Sequence, residues 1–87
     1  MGRREKETGA RRISPVHHKE LVAVFVLAGW RVVRSTSHTR VLAKSGNPKI
    51  VSIPTYQKEV LPSVVKQLLN KAGISRAEYF EYLDRAK

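Results

Sequence analysis

Apolar residues fall at helical spacing in two stretches of the chain and alternate with polar ones between them. Leu21, Val24, Phe25 and Ala28 stand at i, i+3, i+4 and i+7, and Val65, Leu68, Leu69 and Ala72 repeat the stripe, so two amphipathic helices are predicted. A glycine follows each stripe, Gly29 and Gly73, and ends a helix by taking positive φ. Ser14-Pro15 offers the first helix a start, with a hydroxyl to cap free N–H groups and a proline suited to the first helical position. Pro62 opens the second helix. Ser75-Arg76-Ala77-Glu78 is a capping box, and Ile74 can staple onto Tyr79, which predicts a short third helix with Tyr79, Phe80 and Leu83 on one side.

Between the stripes, Trp30 to Ser35 and His38 to Lys44 are β-branched and alternating, with only Thr36-Ser37 separating them, as in a hairpin. Ser45-Gly46-Asn47-Pro48 reads as a turn, and Lys49 to Ile53 as a third strand closed by Pro54. The fold class is α+β in the order α-β-β-β-α with a short C-terminal helix. Its three-stranded antiparallel sheet carries the helices on one face and leaves the other open. With a two-residue loop, Ser35 pairs with His38 and Val32 with Val41. Parity then turns Trp30, Val32, Val41 and Ala43 toward the helices, and Arg31, Val33, Ser35, His38, Arg40, Leu42 and Lys44 away. Val51 and Ile53 are expected inward and Ser52 outward.

Composition adds a partner to this scaffold. The 87 residues make one domain with a modest core, and the absence of cysteine excludes a disulfide-stapled scaffold, a thiol nucleophile and a thiolate zinc site. No apolar run is long enough to span a membrane and no signal-type segment follows the basic N-terminus, so a soluble cytoplasmic protein is expected. A net charge of +10 favours a polyanion, nucleic acid before a membrane surface. Residues 1–13 carry +3 with few apolar residues and read as a disordered basic arm; residues 14–87 form the domain. Within it, residues 14–74 hold nine Lys/Arg against Glu20 and Glu59, whereas the last thirteen residues are neutral.

Taken in order, Gly29-Trp30-Arg31-Val32-Val33-Arg34-Ser35-Thr36-Ser37-His38, Val51-Ser52-Ile53-Pro54, Glu59-Val60-Leu61-Pro62 and Leu68-Leu69-Asn70-Lys71-Ala72-Gly73-Ile74 resemble the HicA toxins of HicA–HicB toxin–antitoxin pairs. The resemblance covers residues 16 to about 83. It implies a fold like the double-stranded-RNA-binding domain, ribonuclease activity on messenger RNA, His38 as the catalytic histidine, and a HicB-like antitoxin that covers the active site. No cofactor is expected. One position departs from the family pattern: Thr36 stands where the family has Gly before Ser-His. A β-branched residue resists positive φ, so this turn takes another geometry or carries strain.

The residue chemistry is compatible. Cleaving RNA without a metal needs a group that accepts the 2′-hydroxyl proton near neutral pH and cations that stabilise charge on the phosphate. Imidazole titrates in that range, and a positioned acid/base contributes about 10²–10⁴-fold. His38 is the candidate acid/base, with Arg31, Arg34, Ser37, Arg40 and Lys44 as RNA-binding residues. The same cations suit a non-catalytic RNA-binding module or an inactive toxin homologue on the same scaffold. Trp30 fits the core better than a base stack, and Tyr56, beside Lys58 in a polar connection, is the better stacking candidate. Glu59 is either a second acid/base group or a salt-bridging carboxylate. His17 and His18, adjacent in sequence, cannot chelate one ion as an i, i+4 helical pair could.

Overall fold

A computed structural model describes residues 12–86. In chain order the elements are β1 (Val16–His17), α1 (His18–Leu27), β2 (Arg31–Ser35), β3 (Thr39–Lys44), β4 (Asn47–Pro54), β5 (Glu59–Val60), α2 (Pro62–Ala72) and α3 (Arg76–Ala86). The α-β-β-β-α order with an added C-terminal helix is present. β2, β3 and β4 form an antiparallel sheet in that order. α1 and α2 pack on the sheet, and α3 packs mainly on α1. No described helix is long and apolar enough to cross a membrane.

The two glycine stops work as the sequence predicts, and in the same way. Gly29 has φ 100°, with its N–H bonded to the Val26 carbonyl and the Trp30 N–H to that of Phe25. Gly73 has φ 74°, with the matching bonds to Asn70 and Ile74 bonded back to Leu69. This paired pattern satisfies helix-end carbonyls and reverses the chain. At the first stop it also seats Trp30 on Phe25, their rings edge to face at 6.1 Å between centroids. Ser75 and Glu78 cap α3 reciprocally, at 2.9 Å and 3.1 Å. The predicted stripes are buried: Leu21, Val24 and Phe25 from α1, Val65, Leu68 and Leu69 from α2, and Tyr79, Phe80 and Leu83 from α3.

Three expectations are corrected. The first helix does not start at Ser14-Pro15. Val16 and His17 pair instead with Val60 and Glu59 as a small second sheet, and the His17 ring caps α1 by accepting the Lys19 N–H at 3.1 Å. Second, β4 begins at Asn47 rather than Lys49. Pro48 is tolerated because β4 is an edge strand, where a missing N–H costs no ladder bond. Of the expected N-terminal arm, residues 1–11 lie outside the described residues, and Ile13 is buried with the core.

The third correction concerns the faces of the hairpin. Ser35 pairs with Arg40 and Arg34 with Val41, but Val32 pairs with Leu42, because a bulge at Val33 inserts one residue into β2. Relative to the predicted Ser35–His38 pairing, the longer loop shifts the register by two, which preserves the faces. The bulge shifts it by one, which turns β3 over. Leu42, expected outward, is fully buried against the helices with Val51 and Ile53, while Val41 and Ala43 lie on the open face. Val32 stays on the core side yet is 40% exposed at the sheet edge. Ser52 points outward as predicted.

Candidate nucleic-acid interface

The bulge decides which cations share the open face. Arg31 and Arg34 are three residues apart, so a regular strand would place them on opposite sides. With Val33 bulged, Arg31 pairs with Ala43 and Arg34 with Val41, and both arginines project from the open face, exposed. Arg40 does not join them. It pairs with Ile53 and Ser35 on the helix side, half-buried near the start of α1. Lys44 is also displaced from its expected place. It ends β3 roughly 20 Å along the strand from His38. Its side chain crosses Gly29, where an added Cβ would meet Lys44 Cε at 3.2 Å. Its charge also helps hold the Glu78 carboxyl below the usual carboxylate range, an effect due first to the Ser75 hydrogen bonds.

His38 and Ser37 sit in the loop between β2 and β3, and Thr36 organises that loop. Its N–H donates to the Thr39 carbonyl at 2.8 Å. Its hydroxyl accepts the N–H groups of His38 at 3.2 Å and Thr39 at 3.0 Å. A threonine hydroxyl closing a turn over the next residues is a local alternative to a glycine bend. No non-glycine residue among those described has positive φ, so the turn carries Thr36 without backbone strain. The loop is tied further by the Thr55 N–H, which donates to the His38 carbonyl at 2.7 Å. His38 is thus an exposed imidazole on a main chain held from both sides.

A family model described as the HicA toxin of bacterial toxin–antitoxin systems matches residues 18–74. The chain belongs to the HicA toxin family. The matched span runs from the first residue of α1 to the residue after Gly73, and so takes in the sheet, the His38 loop and α2. This HicA chain gave no match among curated proteins or solved structures.

At the His38 end of this HicA domain, the fold brings in His18, which the sequence raised only as a metal ligand. The His18 N–H donates to the Lys58 carbonyl at 3.0 Å, continuing the β1–β5 pairing. Segment 55–58 is therefore held by His38 at one end and by His18 at the other. Burial first, then the charges of His17, Lys19 and Arg40, holds the His18 imidazole below its ordinary titration range. It is accordingly neutral near pH 7. The His17 and His18 rings lie 4.5 Å apart, and no metal-holding group of three His, Cys, Asp or Glu occurs among the described residues. Tyr56 is 65% exposed in the same segment. The only signal in the sequence for this cluster was the histidine doublet. Its relation to His38 depends on a two-residue strand pair that no local pattern announces.

Proposed function

We propose that this HicA toxin is an endoribonuclease that cleaves messenger RNA in the cytoplasm and is neutralised by a HicB-like antitoxin covering the His38 end. The observation that carries the reading is the exposed His38, held by Thr36 and Thr55, two residues before Arg40 and at the end of a sheet whose open face bears Arg31 and Arg34. His38 serves as acid/base. Arg31 and Arg34 take phosphates of the incoming strand, Ser37 and Arg40 take those near the cut, and Tyr56 offers a ring for a base to stack on. Lys44, engaged across Gly29, contributes only to the general attraction.

The proposal needs no metal for proton transfer or charge stabilisation, since imidazole and guanidinium supply both. The purified protein is expected to cut single-stranded mRNA equally with and without EDTA. Binding without cleavage under either condition would instead identify a non-catalytic RNA-binding module. The loop geometry makes a second, finer prediction. Misplacing a catalytic group by about 1 Å can cost about 10²-fold. Thr36→Val, which removes the hydroxyl, is expected to slow cleavage by about ten- to a hundredfold, while Thr36→Ser stays near wild type. Cleavage rates at one pH and saturating enzyme compare them, and equal rates for the two variants would show that the hydroxyl does not position His38.

A further inference from the structure

Transesterification of RNA moves two protons, one from the 2′-hydroxyl and one to the departing 5′-oxygen, and His38 alone provides only one position for them. The geometry points to His18 as the second proton-transfer residue, taking the 2′-hydroxyl proton while His38 protonates the leaving group. This rests on the ribonuclease reading above. The bond formed is between the 2′-oxygen and phosphorus, and the bond broken is between phosphorus and the 5′-oxygen. The products are a 2′,3′-cyclic phosphate and a 5′-hydroxyl. His18 ends the step protonated and His38 neutral, and exchange with water restores both.

Three observations converge on this assignment. Both histidines are fastened by main-chain hydrogen bonds to the ends of one short segment, His38 to Thr55 at 2.7 Å and His18 to Lys58 at 3.0 Å. Four residues span at most about 14 Å even fully extended, and this segment is bent, so the two anchor points lie within that distance of each other. Arg40 is common to both. It lies two residues from His38, roughly 7 Å along β3, and close enough to His18 to influence its charge. A guanidinium in that position suits the phosphate on which both imidazoles would act. Finally, His18 is only half-buried, so substrate can reach it. The charged neighbours that set its state are His17 and Lys19 on its own segment and Arg40 from β3; Lys58 and Glu59, opposite His17, stand on the facing segment. Cations outnumber the one carboxylate, which favours the neutral imidazole a base requires.

The test compares wild type with His18→Gln, His18→Ala and His38→Ala on ordinary RNA and on an RNA whose scissile 5′-oxygen is replaced by sulfur. A thiolate leaves without protonation. On ordinary RNA the His18 variants should lose about 10²-fold or more in cleavage, with RNA binding and thermal unfolding little changed, because the His18 contact to Lys58 is main-chain. On the sulfur substrate His38→Ala should recover toward wild type, while the His18 variants stay slow. Wild type should lose activity as pH falls and His18 protonates, and the His18 variants should lose that limb. His17→Asn, which can still cap α1, should keep cleavage near the wild-type rate above neutral pH, with its acid limb moved slightly to higher pH because the charge of His17 no longer disfavours the protonated His18. Near-wild-type cleavage by the His18 variants, or their rescue by the sulfur substrate, would overturn the assignment while leaving the ribonuclease reading intact. No cleavage by wild type would overturn the ribonuclease reading itself.

Discussion

Replacing His38 with alanine is expected to slow RNA cleavage by about 10²–10⁴-fold and to abolish toxicity on expression, with the domain still folded. The two contacts that hold this residue are its own N–H to the Thr36 hydroxyl and its carbonyl to the Thr55 N–H. Alanine keeps both. The imidazole is exposed and contributes nothing to the core, so a change in melting temperature beyond a degree or two is not expected. RNA affinity should also hold, since the arginines remain. Cleavage rate, RNA binding and a circular-dichroism melt on the same preparations decide the matter. An alanine variant that cuts RNA at the wild-type rate would remove His38 from the chemistry and shift attention to the other end of segment 55–58.

The second large effect tests the bulge. Leu42→Ala is expected to destabilise the domain by about 2–5 kcal/mol, the range for emptying a buried leucine site. Val41→Ala, one residue away on the open face, should cost less than about 1 kcal/mol. A domain of this size has a total stability of roughly 4–13 kcal/mol, so Leu42→Ala removes a large share of it. Urea or thermal unfolding of the two variants measures the difference directly. A hairpin in the register predicted from a two-residue loop would reverse their order, because Val41 would then be the buried residue.

That reversal locates what could be read from the residues and what could not. Local signals held: the glycines after each helix, the Ser75–Glu78 box and the three apolar stripes act over a few residues, and each appears where the pattern puts it. The inward set Val51 and Ile53 held because one strand's alternation is local too. Val33 gave no warning. A bulge is a disagreement between two strands, and alternation within either one cannot show it. The same limit applied at the candidate site. His38 was legible from the run of motif residues around it, whereas His18 acquires its position only through the pairing of Val16-His17 with Glu59-Val60. The Thr36 departure also resolves at this level, since a side-chain hydroxyl replaces the backbone freedom of glycine.

The β1–β5 pair has a consequence for synthesis. The β2–β3–β4 hairpins join neighbours in sequence and can form as soon as they leave the ribosome. The Val16–Val60 and His17–Glu59 contacts join the beginning of the domain to a segment that emerges only after the whole sheet. Until β5 and the helix that follows it are outside the exit tunnel, a nascent chain can display the His38 loop but cannot fasten α1 to segment 55–58. The junction between α1 and segment 55–58 is therefore assembled only after the sheet and the His38 loop have been made.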